Sequence, residues 1–157
     1  MELADLERRI QLLEDRAAIR EVIARYAFQV DAGDPPDWGS VFSESIEMEA
    51  GQLGTSTGLA EIERRFSRAE HLETIREGSQ HGYSNLVIRV DEGGRSALAW
   101  GYACVHVRRG GGFEHHTLGV NRWRLAKEDG AWKITHRLRR EAGEPGWKNV
   151  LRDVPKP

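Results

Sequence analysis

Four long strand-forming segments fill the C-terminal half of the chain, and they restrict its possible folds more than any other feature. They cover residues 81–90, 97–108, 113–125 and 132–140. The stretches between them, 91–94, 110–112 and 128–130, all contain glycine and are typical of hairpin turns. Consecutive strands joined by short turns pair with one another. We therefore expect an antiparallel meander of four strands.

The N-terminal half carries helical patterns instead. Apolar residues at helical spacing predict a first helix, which ends near 32–36 at a glycine and two prolines; they are Leu6, Ile10, Leu13, Ala17, Ile19, Ile23, Tyr26 and Val30. Pro35 and Pro36 predict a short second helix through Val41 and Phe42, with Asp34 as its N-cap. A strand at 46–49, a turn at 51–54 and a third helix from Leu59 to about Leu72 follow.

Helices followed by a meander indicate an α+β domain. Long strands twist and curl, and three helices can cover only one face of the sheet. We expect a cone-shaped, curved antiparallel or mixed sheet whose open mouth forms a pocket for a small apolar molecule. One domain is expected over residues 1–142, with a tail at 143–157 that covers this pocket or a neighbouring subunit.

The second strand of the meander is apolar on both alternations of its side chains. One set is Ala99, Ala103, Val105 and Val107, and the other is Leu98, Trp100, Tyr102 and Cys104. A sheet that is apolar on both faces needs a cover on both. This pattern predicts a homo-oligomer in which sheets pack together.

Composition narrows the classes of partner. The chain has 157 residues and a formal net charge of -2, which favours neither nucleic acid nor an acidic membrane surface as a partner. The single cysteine, Cys104, excludes an internal disulfide framework and a cysteine-based metal site. No apolar run is long enough to cross a bilayer, and Met1 leads directly into a charged helix. We expect a soluble, cytoplasmic protein.

The most informative polar residues are Asp31, at the end of the first helix, and His81, at the start of a strand. A carboxylate beside an imidazole fixes the tautomer of the ring and makes it a better general base. Tyr26 precedes Asp31 by five residues, so the two point well apart around an ideal helix. Structural roles remain open for all three: a helix cap, a strand histidine and a core tyrosine.

Further residues are candidates for contacts with a ligand. Trp38, Phe42 and Tyr102 are large enough to wall a cavity, and His115 shares its alternation with Asn121. His115 and His116 point to opposite faces, so at most one of them lines the cavity. The sequence has no HxxxE or CxxC pattern, and we expect neither a metal nor a cofactor.

Several motifs together resemble the SnoaL-like branch of the NTF2-like superfamily. They are Arg16-Ala17-Ala18-Ile19, Tyr26, Val30-Asp31, the Gly-Asp-x-x-x-Trp stretch with Phe42, His81 with Ser84-Asn85-Leu86, and Asp129-Gly130-Ala131-Trp132-Lys133-Ile134 with Arg137. The set Tyr26, Asp31 and His81 is similar to that of scytalone dehydratase, bile acid dehydratase and the lindane dehydrochlorinase, which use an Asp–His dyad for elimination. The resemblance implies a cystatin-like fold and a dimer or trimer.

The resemblance also implies a function. His81 would be the base, Asp31 would orient it and stabilise the imidazolium, and Tyr26 would donate to an enolate oxygen. The expected activity is that of a cofactor-independent lyase of the dehydratase type, acting on a mostly apolar cyclic molecule with a carbonyl group. An isomerase or cyclase with the same dyad, and a non-catalytic binding protein, are the alternatives.

Arg137 is placed differently by the two arguments. The resemblance places it in the pocket, whereas alternation groups it with Lys133, Thr135 and Arg139 on a solvated face. A bulge or an oligomer contact would reconcile the two placements.

Overall fold

The computed structural model describes residues 2–32 and 36–156. Its helices are α1 (Leu3–Ala32), α2 (Leu59–Phe66), α3 (Ala69–Arg76) and α4 (Trp147–Arg152), and its strands are β1 (Phe42–Ala50), β2 (Thr55–Thr57), β3 (Ser79–Val90), β4 (Ser96–Arg109), β5 (Gly112–Glu128) and β6 (Ala131–Glu141). Short 3₁₀ turns cover Trp38–Ser40 and Gly51–Leu53. The strands form one sheet in the order β2-β1-β6-β5-β4-β3. The α+β fold with its mixed, curved sheet is confirmed.

The meander forms as predicted, with β3 to β6 antiparallel to their neighbours. The β5–β6 turn shows why its sequence was informative, since Asp129 and Gly130 both have positive φ, at 49° and 81°. A two-residue hairpin turn of this kind favours Asp-Gly. Strand β1 then adds to β6 in parallel, which extends the sheet beyond the meander.

The predicted second helix through Val41 and Phe42 is wrong. Only Trp38–Ser40 form a helical turn, capped by Asp37, whose carboxylate accepts from the Ser40 backbone N–H at 3.2 Å. Phe42 instead begins β1, whose apolar side chains Phe42, Ile46, Met48 and Ala50 are buried against the core. The predicted N-cap Asp34 and the predicted helix start at Pro35 lie outside the described residues.

The predicted third helix is two helices. Helix α2 ends at Phe66, and its C-cap residue Ser67 donates its hydroxyl to the Glu63 carbonyl at 2.8 Å. Arg68 has extended backbone angles, and helix α3 starts after it at Ala69. Strand β2 was not predicted, because three residues are too few to establish an alternation of side chains.

The main core lies between the C-terminal half of α1 and one face of the sheet. Its fully buried members include Ile19, Ile23, Tyr26, Ile46, Trp123, Leu125 and Ile134. The N-terminal half of α1 is different, since Leu6, Ile10 and Leu13 are 40%, 47% and 63% exposed. The buried contacts of α1 begin at Asp15, which accepts from Trp132 Nε1 at 2.9 Å. The helix is therefore anchored through its second half.

The opposite face of the sheet is partly covered by the chain's own C-terminal segment. Val150 of α4 packs with Trp100 and Val120 in a second, smaller core. Tyr102 and Leu118 stay 40% and 51% exposed on the described surface. The predicted homo-oligomer stays a prediction. Among the described helices, none has the length and apolarity needed to span a membrane.

Candidate active site

A cavity of about 960 Å³ lies between the sheet and the helices α1 to α3. Its size is in the upper part of the range of small-molecule sites. Its walls combine apolar and polar side chains, among them Tyr26, Met48, Arg65, Phe66, His71, Ile75, His81, Tyr83, Val105, His116 and Arg137. Such a mixture suits a ligand with an apolar body and a few polar groups.

Asp31 and His81 meet where the last turn of α1 contacts the beginning of β3. The Asp31 Oδ1 atom lies 2.7 Å from His81 Nδ1. The same carboxylate accepts from the His81 backbone N–H at 2.8 Å and from Ser79 Oγ at 2.5 Å. Three contacts therefore fix the carboxylate, and the carboxylate fixes the ring.

The electrostatics of the pair follow from these contacts. Burial raises the pKa of Asp31, but the hydrogen bonds from His81 and Ser79 outweigh it and hold the pKa below its ordinary value of 3.8. Asp31 is thus a carboxylate at neutral pH. Because this acceptor faces Nδ1, the neutral ring carries its proton there, which leaves Nε2 as the basic nitrogen. Among the described residues, Nε2 has no protein partner, and His81 lines the cavity.

Tyr26 lines the same cavity, although it is five residues from Asp31. Its ring stacks on Tyr83 at 5.8 Å between centroids, and its oxygen accepts from Arg137 Nη1 at 2.7 Å. Because the oxygen accepts from the guanidinium, the phenol hydrogen is free to be donated elsewhere. Tyr26 lines the cavity directly. Asp31 does not line the cavity and reaches the site only through its contact with His81.

Arg137 is buried, at 6% exposure, and the solvated placement expected from alternation is wrong. The β5–β6 register changes between the pairs Arg124↔His136 and Leu125↔Ile134, which leaves Thr135 as an extra residue. A one-residue bulge inverts the alternation beyond it, so Arg137 faces the same side as Ile134.

Asn121 is fully buried but does not line the cavity. Its Oδ1 accepts from Arg137 Nε at 2.9 Å. Its predicted contact with a ligand does not fit this position, and its geometry is that of a residue that orients Arg137.

Trp38 and Phe42 also stand behind the cavity wall and do not line it. They are 4% and 2% exposed, and both rings pack against Tyr26, at 6.3 Å and 5.2 Å. The predicted ligand contacts of Trp38 and Phe42 are therefore replaced by packing that holds the Tyr26 ring.

The predicted pocket positions of Tyr102 and His115 are wrong. Tyr102 lies on the opposite face of the sheet, where it is 40% exposed. The β4–β5 register changes between Val105↔Thr117 and His106↔His115, so His116 is an extra residue. This bulge turns His115 toward His106, with 3.4 Å between ring nitrogens, and brings His116 to the cavity.

Tyr83 and His71 are among the lining residues that the sequence analysis missed. Burial raises the pKa of Tyr83 well above its ordinary value, and its buried hydroxyl makes no hydrogen bond of good geometry within the described chain. Its position two residues after His81, on the same face of a strand, was a usable signal. Burial lowers the pKa of His71, so this second imidazole is neutral at neutral pH. No signal pointed to His71, which the sequence placed near the end of one continuous third helix and not in a separate helix α3.

Arg137 is a charged group among these phenols. Burial lowers the pKa of Arg137, but the nearby hydroxyls of Tyr26 and Tyr83 raise it by more. Its guanidinium carbon lies 5.0 Å and 5.8 Å from the centroids of the two rings. One end of the cavity thus presents two phenols and a cation, a set suited to a negatively charged oxygen.

A second histidine–carboxylate cluster lies outside the cavity. His136 Nε2 is 2.8 Å from Glu49 Oε1 and 3.6 Å from Glu47 Oε1. These three side chains are close enough to share a metal ion. Arg140, 3.6 Å from Glu49, already supplies positive charge there.

Comparison with known proteins agrees with this fold. The family model of the SnoaL-like domain matches residues 11–138. An NTF2-like protein of cystatin-like fold from Novosphingobium aromaticivorans is 28% identical, with 96% of this chain and 97% of that chain covered and a TM-score of 0.88. No curated protein matches the chain in sequence.

Two more distant structures share the fold alone. A protein provisionally named scytalone dehydratase, from the same organism, is 20% identical over 85% of this chain and 88% of its own, with a TM-score of 0.73. A Mycobacterium tuberculosis protein of unknown function is 19% identical over 90% and 92%, also with a TM-score of 0.73. The chain belongs to the SnoaL-like domain family, a branch of the NTF2-like superfamily that includes dehydratases and isomerases.

Proposed function

We propose that this protein is a cofactor-independent lyase of the dehydratase type, acting on a mostly apolar cyclic molecule that bears a carbonyl group. One observation carries the proposal. The imidazole of His81 is held by Asp31 at 2.7 Å in a cavity that Tyr26 also lines. An oriented base and a hydrogen-bond donor facing one space are the minimum for removing a proton next to a carbonyl.

The first step is proton abstraction. His81 Nε2 takes the proton from the carbon next to the carbonyl, and the electron pair of the broken C–H bond moves to form an enolate. Asp31 remains a carboxylate and stabilises the imidazolium through Nδ1–H. Because Ser79 and the His81 backbone also bind this carboxylate, it keeps its position while the ring changes charge.

The enolate oxygen is stabilised by the phenol of Tyr26, with Tyr83 as a second donor. Tyr26 accepts from Arg137, and the positive charge of that guanidinium makes the phenol hydrogen a stronger donor. Removing one such donor from a buried site typically costs about 10²–10³-fold in rate, and less when others remain.

The second step completes the elimination. The enolate re-forms the carbonyl, its electrons make the new carbon–carbon double bond, and the bond to the β-hydroxyl breaks. The imidazolium of His81 donates its proton to the leaving oxygen, so water departs and the ring returns to its neutral state. A single imidazole serves both steps when the proton and the hydroxyl leave from one face.

The cavity walls support the proposed substrate class. Met48, Phe66, Ile75 and Val105 offer apolar surface, and about 960 Å³ accommodates a ring system. Apolar walls also keep water away from the enolate, which strengthens the hydrogen bonds to it.

His71 favours one alternative, an isomerase. It is a second neutral imidazole in the same cavity, and its ring packs on Phe66 at 5.1 Å. A second base or acid permits a proton to leave one carbon and arrive at another with no leaving group. A cyclase with the same dyad, and a non-catalytic binding protein, predict other outcomes of the same experiment.

A screen of cyclic β-hydroxy ketones tests the proposal, with enone absorbance as the readout. The wild-type protein is expected to form an enone, and His81→Ala to lose at least about 10²-fold in rate. Exchange of the α-hydrogen in D₂O without loss of water indicates an isomerase, and ring closure a cyclase. Binding of the ketones with neither reaction contradicts the lyase and favours a binding protein.

A further inference from the structure

We infer that the molecule bound in this cavity carries a carboxylate, which Arg65 of α2 recognises. This inference rests on the proposed function only in taking the cavity as the substrate site. It adds a second anchoring point, separate from the dyad of Asp31 and His81, and so narrows the substrate class to apolar cyclic carboxylic acids.

Arg65 lines the cavity and is only partly buried. Its Nη1 donates to the hydroxyl of Ser56 at 3.1 Å, and no carboxylate of the described chain lies within ion-pairing distance of it. The preceding residue, Arg64, is the opposite case. It pairs with Glu61 at 3.3 Å, and its side chain is 69% exposed. Of these neighbouring arginines, one is thus a surface ion pair and the other is a cation without a counter-charge.

Other cations share the cavity wall with Arg65. Burial is the main cause that lowers the pKa of Arg65; the Tyr26 phenol opposes it, and the charges of Arg137, Arg68 and Arg139 lower it further. Arginine stays protonated despite such a shift. The site therefore holds like charges together in a partly desolvated space, and a bound anion would relieve this repulsion.

The charges of the cavity wall are unbalanced. The lining contains four arginines, at 65, 68, 137 and 139, and two glutamates, at 70 and 141. One of these glutamates already pairs with Arg139 at 2.8 Å. The protein as a whole has a formal charge of -2, so the positive wall is a local feature. A concave surface of one sign concentrates small ions of the other sign.

The buried Arg137 and the partly buried Arg65 have different partners. Arg137 is occupied by Tyr26 and Asn121. Arg65 makes one neutral hydrogen bond and keeps its other N–H groups for a ligand. A planar guanidinium pairs with a planar carboxylate through two parallel hydrogen bonds. Because Met48, Phe66 and Ile75 line the same space, the carboxylate is expected on an apolar ring.

The experiment compares three inert probes with the same naphthyl ring: 2-naphthoate, its planar neutral counterpart 2-naphthamide, and 2-naphthyl phosphate. Their affinities are measured by calorimetry on the wild type, Arg65→Gln and the control Arg64→Gln. Wild type and the control are expected to bind the carboxylate at least about tenfold more tightly than the amide. Arg65→Gln is expected to lose most of this preference while its amide affinity changes little.

Several results overturn the inference. One is equal affinity of the wild type for the acid and the amide. Another is a preference for the acid that is unchanged in Arg65→Gln. A third is a loss of this preference in Arg64→Gln as large as that in Arg65→Gln. Tighter binding of the phosphate than of the carboxylate assigns the site to another anion. Binding of none of the three probes also contradicts it.

The lyase proposal and the carboxylate inference can be contradicted separately. The probes have no carbon acid and need no base, so His81→Ala is expected to keep the carboxylate preference. If His81→Ala loses turnover but the wild type shows no preference for the acid, the lyase proposal stands and the carboxylate inference is wrong. If the wild type prefers the acid but His81→Ala keeps its turnover, the carboxylate inference stands and the lyase proposal is wrong.

Discussion

The molecule contains two histidine–carboxylate pairs with nearly equal contact distances: His81 of β3 pairs through Nδ1 with Asp31 of α1, and His136 of β6 pairs through Nε2 with Glu49 of β1. The contact distances are 2.7 Å and 2.8 Å. In both, the histidine helps to hold the carboxyl pKa below its ordinary value, against the opposing effect of burial. The pairs differ in what surrounds the second ring nitrogen. His81 lines the cavity, whereas the Nδ1 of His136 is buried without a partner in the described structure.

This difference shows that contact with a carboxylate is not enough to make a histidine a candidate general base. A base needs its free nitrogen within reach of a substrate proton, and of the histidines in these two pairs His81 is the one that meets this condition. The bulge at Thr135 places Arg137 toward the cavity and His136 away from it. A one-residue irregularity of β6 therefore decides which side chains of this strand take part in the site.

The largest expected difference between the pairs is in turnover. His81→Ala is expected to lower kcat/KM for elimination by about 10²–10⁴-fold, because it removes the base. His136→Ala is expected to stay within a few-fold of wild type, since its ring reaches no ligand. Both rates are measured on proteins whose circular dichroism matches wild type. Similar losses in the two variants would contradict the distinction.

The carboxylates come next. Asp31→Asn is expected to lower kcat by about 10²-fold, since the amide neither fixes the same tautomer nor stabilises the imidazolium. KM is expected to change little, because Asp31 does not line the cavity. Glu49→Gln is the matched control, and steady-state kinetics should leave it near wild type. A rise in KM at constant kcat in Asp31→Asn would argue against an orienting role.

The tyrosines should give smaller effects. Tyr26→Phe and Tyr83→Phe are each expected to lower kcat about tenfold, because one phenol can partly replace the other in stabilising the enolate. Tyr102→Phe, on the opposite face of the sheet, is the control and should have no effect. If the double variant of Tyr26 and Tyr83 loses no more than either single variant, the two phenols do not share a role.

The two carboxylates are expected to differ little in their contribution to the free energy of unfolding. The lowered carboxyl pKa values mean that both carboxylates stabilise the fold above about pH 4 and lose this contribution as pH falls through their folded pKa values. Asp31→Asn is expected to lower the free energy of unfolding by about 1–2 kcal/mol at pH 7. Glu49→Gln should cost less, because its carboxylate is one-third exposed. Urea denaturation at pH 7 and pH 3 measures both, and the differences should shrink at pH 3.

Sequence patterns predicted the meander and the long helix because their periodicity is regular over ten or more residues. The meeting of Asp31 with His81 followed from a family resemblance, since no local pattern joins residues fifty positions apart. Two wrong assignments of side chains to a face occur where a strand breaks its own period. The extra residues Thr135 and His116 inverted the faces assigned to Arg137 and His115, and no composition signal marks either bulge.

The most direct test of the account is the state of the His81 ring, followed by ¹⁵N NMR with a saturating cyclic ketone. For the neutral form of the ring we predict a proton on Nδ1, an Nε2 resonance that shifts when the ketone binds, and no shift for His136. A ring protonated at Nε2, or a ligand response at His136 and none at His81, would contradict the claim that access to the cavity distinguishes the two pairs.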